Sequence, residues 1–313
     1  MKITKGNPLQ KLIAVVGPTA SGKTDLAIAL AKKHKGEIIS ADSRQFYRGT
    51  EIGSDIIAGK WVMKYGRRTY VARGIPHYLV SFLPPSKLFT VAQFKRHVIR
   101  MANDIAKRGH VPILAGGTGL YIRAVIDNYA IPEVAPDPAF RARMEKKSTA
   151  DLFTLLQKKD PAYAARIPAN NRRYAVRALE VMAATGKTVT EVQQMGEPLF
   201  DVLQIGIQRP REAMYERINA RVDVMMTRGL LDEAEKLGKK YGWEVPAMSG
   251  LGHRQLGAFL RGETTFQEAV ERIKSDTRHF AKRQVTWFKR DSRINWVKNE
   301  AEAVRLAKKF LKP

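Results

Sequence analysis

Apolar positions along the chain alternate between short continuous runs and helical spacings. The run at Leu12–Val16 is β-branched and bounded by glycine, which is typical of a buried parallel strand. Residues Thr24–Lys33 have the spacing of a helix, and Glu37–Ala41 is a second short strand. A third strand, Val111–Ala115, leads into a helix at Leu120–Ile126. This alternation predicts an α/β fold with a doubly wound parallel sheet.

Two further elements are predicted between the second and third strands. Aromatic and β-branched residues flank Gly66-Arg67-Arg68, a pattern that favours a hairpin. Residues Phe89–Lys107 have the period of a long amphipathic helix, with Thr90 as a candidate N-cap.

The pattern changes after Asp127. Residues 128–140 are rich in proline and resemble a linker, and residues 139 to about 187 are predicted to be helical and strongly basic. Strand-like Val202–Ile207 then returns the chain to the sheet. We therefore predict a core from 1 to 130, a helical insertion from 131 to 198, and a mostly helical return to the core from 199 to 313. Its expected elements are helices at Arg211–Arg228, Leu230–Tyr241, Gly252–Leu260 and Phe266–Arg290, a strand at INWV and a final basic helix.

Composition narrows the class of protein. Hydrophobic residues make up 44% of the chain, which is enough for a core, yet no apolar run is long enough to span a bilayer. The chain has no cysteine, which excludes disulfides and thiolate metal sites and favours a reducing, cytoplasmic compartment. Residues 1–11 carry three lysines, but the apolar run that follows is too short for a signal segment, so we expect a mature N-terminus.

Charge is the strongest global signal. The chain has 55 Lys and Arg against 30 Asp and Glu, a formal net charge of +25. Such a surplus favours a polyanionic partner, and nucleic acid is the commonest one.

The segment GPTASGKT matches the phosphate-binding loop at every fixed position and lies between a predicted strand and a predicted helix. Its inward N–H groups would bind an anion, Lys23 would add a charge, and the Thr24 hydroxyl is a candidate Mg²⁺ ligand. The third strand ends in Gly116-Gly117 and not in the acid that a triphosphatase uses. Nucleotide binding, ATP included, is one interpretation, and binding of a departing diphosphate is the other. The loop comprises Gly17, Pro18, Thr19, Ala20, Ser21, Gly22, Lys23 and Thr24.

A polar segment, DSRQFYRG, follows the second strand. An acid at Asp42, beside a phosphate loop, is a candidate general base, and the alternative is a helix-capping role. Gln45 is a candidate for bidentate contact with a base edge, while Phe46 and Tyr47 offer stacking surfaces.

Two further segments carry candidate contacts. In GGTGLYIR, Thr118 is a candidate helix cap or substrate contact, and Arg123 one turn later is a candidate phosphate contact. In the insertion, Arg173 and Arg177 stand at i and i+4, which fits either a phosphate-binding stripe or a solvated face. The histidines have no metal-ligand spacing, so Mg²⁺ is the one metal expected.

Seven motifs occur in a fixed order and together resemble the tRNA dimethylallyltransferases, also called tRNA isopentenyltransferases. The resemblance runs from about Leu12 to Trp296. It implies transfer of a dimethylallyl group from dimethylallyl diphosphate to the exocyclic amine of the adenosine 3′ of the anticodon, with release of diphosphate. The motifs are GPTASGKT, ISADSRQFYRG, IPHYL, GGTGLYIRA, RALEVMAATGKT, GLGHRQL and AKRQVTWFKRD.

The resemblance also implies roles for residues. The phosphate loop would bind the prenyl diphosphate through Lys23, Thr24 and Arg221, with Mg²⁺ on Thr24, and Asp42 would accept the amine proton. The insertion would clamp the anticodon stem, and a monomer is expected. With the spacing arguments above, the full set of residues expected to bind tRNA is Asp42, Ser43, Arg44, Gln45, Thr118, Arg123, Arg173, Arg177, His253, Arg254 and Gln255.

Three residues depart from the family pattern, and two other functions are compatible with parts of the sequence. Tyr78, Tyr174 and His253 stand where the family often has His, Arg and Tyr, and the hairpin around Tyr65–Arg73 is longer than in most relatives. A small-molecule kinase would use the same loop with Asp42 as base and would turn over ATP. A non-catalytic RNA-binding protein would function without Asp42.

Overall fold

The computed structural model describes residues 9–312. The expectation of a mature N-terminus concerns residues that lie mostly outside this range. Within it, eight strands form one sheet in the order β3-β4-β5-β2-β6-β1-β7-β8. The strands are β1 (Gln10–Val16), β2 (Gly36–Ser40), β3 (Lys60–Lys64), β4 (Arg67–Ala72), β5 (Ile75–Tyr78), β6 (Val111–Gly116), β7 (Phe200–Ile207) and β8 (Ile294–Val297).

Helices account for most of the remaining described chain. They are α1 (Lys23–Lys33), α2 (Val91–Lys107), α3 (Gly119–Ile126), α4 (Pro138–Glu145), α5 (Thr149–Lys159), α6 (Pro161–Ala164), α7 (Arg172–Thr185), α8 (Val189–Val192), α9 (Arg211–Thr227), α10 (Leu230–Tyr241), α11 (His253–Leu260), α12 (Phe266–Phe288) and α13 (Glu300–Leu311), with a 3₁₀ turn at Pro246–Ser249. None of the helices in residues 9–312 has the length and apolar character of a membrane span.

The sheet confirms the predicted α/β core. Six strands from β5 to β8 in the sheet order are parallel, and the hairpin β3–β4 adds an antiparallel edge. Strand β6 pairs with both β1 and β2, so the carboxyl ends of these three strands are adjacent. This topology therefore brings together the three predicted motifs that follow these strands. Ligands of such sheets bind at the carboxyl edge.

Burial explains why these segments pair. Leu12 through Val16 are fully buried, as a strand covered on both faces must be. Helix α1 contributes Leu26, Leu30 and Ala31 to the same cluster, and α13 contributes Ala303 and Ala307. Each buried Leu or Ile contributes roughly 1.5–3 kcal/mol relative to exposure, so this layer holds the strand that precedes the phosphate loop.

Helix α2 begins where the sequence predicts. Thr90 is its N-cap, and the Thr90 hydroxyl accepts a hydrogen bond from the Gln93 N–H while the Gln93 side chain accepts one from the Thr90 N–H. This reciprocal capping box satisfies two backbone donors that the helix cannot pair internally.

The chain divides into two compact units. The first contains the residues up to Ile122 and those from Leu199 onward, and the second spans Arg123–Pro198. The second unit is helical throughout its core, where Leu152, Leu156 and Leu179 pack together.

Candidate active site

The phosphate loop joins the buried end of β1 to helix α1. Gly22 is the N-cap of α1 with φ of 95°, and no side chain in the described part of the chain caps this helix end. The first-turn N–H groups therefore remain for a ligand, and the helix dipole favours an anion there.

Two side chains in the loop favour anion binding. The Ser21 hydroxyl is buried and has no hydrogen-bond partner among residues 9–312. A Cβ added to Gly17 would lie 3.1 Å from this oxygen. A buried polar atom without a partner is rare and calls for a ligand. Burial lowers the pKa of the Lys23 ammonium, and nearby Arg221 lowers it further, while Asp42 and Asp55 oppose the shift.

Three arginines surround the loop from outside. Arg209 Nε donates to the Ser21 carbonyl at 2.6 Å, and Arg217 Nε donates to the Ala20 carbonyl at 3.0 Å. Arg221 Nη1 lies 3.3 Å from the Thr19 hydroxyl. Ala20 has φ of 61°, a left-handed conformation that a non-glycine residue adopts at a cost.

Sequence reasoning identified Arg221 but missed Arg209 and Arg217. Arg217 precedes Arg221 by four residues on α9, so the two share a helix face, and that spacing was the available signal. Arg209 lies in the loop after β7, and nothing local in the sequence marks it.

Asp42 lies just past the carboxyl end of β2. It is half-buried, and its Oδ1 accepts a hydrogen bond from the Arg44 N–H at 3.0 Å, which leaves Oδ2 without a protein donor in the described residues. Because β1 and β2 both pair with β6, Asp42 and the phosphate loop lie at the same edge of the sheet, and the charge of Asp42 opposes the lowering of the Lys23 pKa. A carboxylate in this position can accept a proton from a nucleophile that attacks a bound phosphate ester.

The loops after β2 and β6 are joined to each other. The Thr118 N–H donates to the Ala41 carbonyl, and the Thr118 hydroxyl accepts from the Ser43 N–H at 3.2 Å. A Cβ on Gly116 would lie 2.3 Å from the Ala41 carbonyl oxygen, so only glycine permits this approach. The geometry confirms that Thr118 and the Asp42 segment share one edge of the sheet.

Gln284, on helix α12, links this edge to the phosphate loop. Its Oε1 accepts from the Thr19 N–H and its Nε2 donates to the Gly117 carbonyl, both at 2.8 Å. The side chain is 7% exposed, so both bonds are shielded from water. Sequence reasoning missed this residue because its partners are 265 and 167 positions away.

The proposed stacking role of two aromatic residues is wrong. Phe46 is 1% exposed and Tyr47 is 7% exposed, so neither presents a face to a base. Phe46 packs among aromatic rings that include Phe89, Phe94 and Tyr121 at centroid distances of 5.2 to 5.9 Å. The buried side chains of Phe46 and Tyr47 thus fix the Asp42 segment to the core. Asp42 and Ser43 are partly exposed and Arg44 is exposed.

Gln45 is engaged inside the protein. Its Oε1 accepts from the Ser40 hydroxyl at 2.8 Å, and its Nε2 donates to the Ser54 carbonyl at 3.3 Å. Arg44 is exposed and donates to the Pro246 carbonyl and the Ser249 hydroxyl. Of this pair, Arg44 is the side chain placed at the surface.

His253 is buried, so its side chain is not at the surface of this structure, and its role in tRNA binding stays a prediction. It is 2% exposed, and its Nε2 lies 2.9 Å from Glu233 Oε1. Glu233 also accepts hydrogen bonds from the Ile52 and Gly53 N–H groups at 2.7 and 2.8 Å. The pair therefore holds the loop that carries Asp55, and burial removes His253 from the surface.

Gln255 is also placed in the interior, whereas Arg254 is exposed. Gln255 is 5% exposed, and its side chain bonds to the Gly252 N–H and to Asp276. Arg254 Nη2 lies 2.9 Å from the same Asp276 carboxylate oxygen. Both side chains thus share Asp276 as a partner, and their roles in tRNA binding stay predictions.

In the second unit, the arginines predicted to form either a phosphate-binding stripe or a solvated face have different surroundings. Arg177 bonds to the buried Glu180 carboxylate and donates to the Val134 carbonyl at 2.8 Å, so this side chain is committed to the fold. Arg173 is exposed, and its guanidinium lies 5.6 Å from the ring centroid of Tyr174. Arg123 forms an i, i+4 ion pair with Asp127 at 3.1 Å.

The residues present fit a phosphate-bound magnesium ion. The Thr24 hydroxyl stands in the first turn of α1, next to Lys23, and the unpartnered Ser21 hydroxyl marks the same loop. One protein oxygen with waters and phosphate oxygens is a common Mg²⁺ arrangement. No group of three or more His, Cys, Asp or Glu side chains within residues 9–312 could hold a metal by itself.

Comparison with known proteins identifies relatives along most of the chain. A family model described as IPP transferase matches residues 45–291, and one described as isopentenyl transferase matches residues 10–76. The tRNA dimethylallyltransferase of Roseiflexus sp. is 43% identical over 89% of this chain and 90% of its own length. That of Bacillus subtilis is 39% identical over 93% of this chain and 91% of its own length.

Solved structures agree with the sequence relatives. The full-length tRNA isopentenylpyrophosphate transferase of Bacillus halodurans is 34% identical, with a TM-score of 0.69 over 96% of this chain and 95% of that one. A eukaryotic dimethylallyltransferase, captured acting on tRNA, is 27% identical with a TM-score of 0.74 over 94% of this chain and 75% of that one. By sequence and by fold, the chain belongs to the IPP transferase family.

Proposed function

We propose that this chain transfers a dimethylallyl group from dimethylallyl diphosphate to the exocyclic amine of the adenosine 3′ of the anticodon in tRNA, with diphosphate as leaving group. The tRNA substrate and the prenyl-transfer chemistry are those of its family. The observation that carries the assignment is the pairing of a half-buried carboxylate, Asp42, with an uncapped phosphate loop at one sheet edge.

The residues divide the reaction into binding and proton transfer. The loop N–H groups, Lys23 and Arg221 would bind the diphosphate and stabilise its charge as the bond from carbon to oxygen breaks. As the new carbon–nitrogen bond forms, the amine proton would pass to a carboxylate oxygen of Asp42. Mg²⁺ on Thr24 would supply additional neutralisation of the departing diphosphate.

The polar loops around Asp42 would orient the adenosine. Thr118 and Ser43 are linked at the edge of the site, and Arg44 is exposed beside them. Chemistry on a base requires that it leave its stack, which makes a rigid rim of polar groups useful for holding it. The buried Phe46 would keep that rim fixed from below. Arg123, Arg173 and Arg254 remain candidate phosphate contacts.

Incubation with labelled dimethylallyl diphosphate, Mg²⁺ and unmodified tRNA tests the proposal. Wild type should place the label in tRNA, and Asp42→Asn should lower kcat by about 10²- to 10⁴-fold, the range for loss of a general base. Asp232→Asn, an exposed carboxylate on α10, is the matched control and should be fully active.

Three results would contradict the proposal. Absence of label with wild type, together with ATP consumption, would favour a small-molecule kinase. Wild-type transfer activity in Asp42→Asn would exclude Asp42 as the general base. Absence of transfer and of ATP consumption, with tRNA binding equal in wild type and Asp42→Asn, would favour a non-catalytic RNA-binding protein.

A further inference from the structure

We propose that the β3–β4 hairpin is a second RNA-binding surface, which contacts the body of the tRNA outside the anticodon arm. We call its residues the hairpin surface. Trp61, Met63 and Arg68 lie on one face of the hairpin, Lys60 and Lys64 lie on the other, and Tyr65 is in the turn between the strands. The proposal rests on the proposed function only in taking tRNA as the polyanion.

Large apolar side chains are exposed along this edge strand. Trp61 is 39% exposed, Met63 is 70% exposed and Tyr65 is 40% exposed. Strand β3 is the outermost strand of the sheet that residues 9–312 form, so one of its sides has no neighbouring strand from these residues. Several such side chains on one hairpin indicate a contact surface, whereas scattered ones do not.

The same hairpin is strongly basic. Residues 58–74 contain five Lys and Arg and no Asp or Glu. Arg67 pairs with Asp104 and Arg73 pairs with Asp25, but Lys60, Lys64 and Arg68 form no ion pair in the part of the chain that the structure describes. Three cations without carboxylate partners remain for an external anion.

Cations and rings are arranged together on the hairpin. The Arg68 guanidinium lies 5.5 Å from the Trp61 ring centroid, and Lys64 Nζ lies 5.1 Å from that of Tyr65. Proteins that bind single-stranded or looped RNA combine such rings, on which bases stack, with cations that follow the backbone. An apolar protein partner would have no use for the unpaired cations.

A basic pocket adjoins the hairpin surface. It has a volume of about 440 Å³, and its cationic lining consists of Lys32, Lys35, Lys64, Arg73 and, when protonated, His110. Glu37 is the acid in this lining, but it is 1% exposed and is bonded to Arg108, His110 and Tyr78. These bonds outweigh the effect of burial and lower the pKa of Glu37, so the carboxylate remains charged but satisfied from inside.

The position of the pocket separates it from the active site. Gly36 and Glu37 begin β2, so the pocket lies at the amino ends of the parallel strands, whereas the phosphate loop follows the carboxyl end of β1. An anticodon loop in the active site cannot fill both edges of the sheet. We therefore assign the hairpin surface to another part of the same tRNA.

A triple variant, Lys60→Ala with Lys64→Ala and Arg68→Ala, tests the assignment against two RNA substrates. These are a full-length tRNA and its isolated anticodon stem-loop. We expect Kd and KM for full-length tRNA to rise about tenfold, and the dependence of log Kd on log salt to become shallower by about 2 to 3, since each lost phosphate contact removes about 0.9. The kcat with either RNA and the KM for the stem-loop should not change.

The matched control removes three exposed cations elsewhere. The variant Arg305→Ala with Lys308→Ala and Lys309→Ala, on α13, lowers the net charge by the same amount. Its affinity for both RNAs should equal that of wild type. Trp61→Ala alone should weaken the binding of full-length tRNA. The dependence of log Kd on log salt should not change, because base stacking is not an ionic contact.

Three outcomes would overturn the proposal. The triple variant could bind full-length tRNA as tightly as wild type, it could lose as much affinity for the stem-loop as for full-length tRNA, or the α13 control could lose the same affinity for full-length tRNA. Binding is measured separately from transfer. If wild type binds tRNA but transfers no prenyl group, the proposed function fails while the binding comparison still decides the role of the hairpin.

Discussion

The guanidinium of Arg221 lies 2.9 Å from a carboxylate oxygen of Asp55 and 3.3 Å from the Thr19 hydroxyl. The cation proposed to bind diphosphate thus already has an anionic partner. Asp55 has φ of 48°, and the loop that carries it is held by the buried Glu233 and His253 pair. A bound diphosphate would compete with Asp55 for this arginine.

Asp55→Asn should strengthen diphosphate binding. The substitution removes a negative charge near the site and frees Arg221, and a partly exposed pair of this kind is worth about 0.2–1 kcal/mol. We expect the KM for dimethylallyl diphosphate to fall by about two- to fivefold. Asp104→Asn, which breaks a partly exposed ion pair on α2, is the control. An unchanged or higher KM in Asp55→Asn alone would show that Asp55 does not compete with the ligand.

Arg217→Ala should weaken binding of the prenyl diphosphate. Arg217 Nε donates to the Ala20 carbonyl and so fixes the conformation of the phosphate loop, and a hydrogen bond from a charged donor contributes about 1.5–3 kcal/mol. We expect KM to rise by roughly tenfold or more, with partial recovery in Arg217→Lys. Arg211→Ala, on the exposed end of the same helix, should behave as wild type. A loss of thermal stability with KM unchanged would mean that Arg217 has no positioning role.

Phe46→Ala should destabilise the fold. Its ring is buried among other aromatic rings, and truncation of such a side chain costs about 3–5 kcal/mol. Denaturant titration measures the free energy of unfolding. The milder Phe46→Leu should remain folded with RNA affinity close to wild type. Weakened RNA binding by a stable Phe46→Leu would restore the stacking interpretation that the structure contradicts.

Glu180 should make stability depend on acid pH. Burial would raise the pKa of its carboxyl group, but hydrogen bonds from Arg141, the Asp137 N–H and Arg177 outweigh it and lower the pKa to about 2. Because the pKa is lower in the folded state, the stabilisation is complete above the unfolded value near 4.5 and is lost as the pH falls toward 2.

Denaturation of wild type and Glu180→Gln between pH 7 and pH 2 measures this contribution. The difference in unfolding free energy should be roughly 3 kcal/mol at pH 7 and should shrink steadily below pH 4.5. Glu145→Gln, an exposed carboxylate of the same unit, is the control and should differ little from wild type at any pH. A pH-independent difference for Glu180→Gln would contradict the depressed pKa.

Local signals located most elements. Strand β1, helix α10 and the Thr90 capping box follow from hydrophobic spacing and cap chemistry, and both act over a few residues. The phosphate loop is likewise a local motif, since its glycines, lysine and threonine lie within eight positions. The sequence by itself therefore determined the α/β class, the phosphate-binding loop and the position of Asp42 just after a strand.

Tertiary structure decided which polar residues face solvent. His253 and Gln255 are buried where their helix packs against the helices that carry their partners, Glu233 and Asp276. These partners lie about twenty positions away in the sequence. Phe46 is buried because four other aromatic rings converge on it from distant segments. No local pattern encodes such partners.

The strand order also came from the tertiary structure alone. Pairing of β6 with both β1 and β2 brings Thr118 to Ser43, and α12 brings Gln284 to Thr19. These contacts join segments between 75 and 265 residues apart. Local propensity and spacing define what each segment becomes, whereas the shape of the site depends on long-range burial and hydrogen bonding that exist only once the chain has folded.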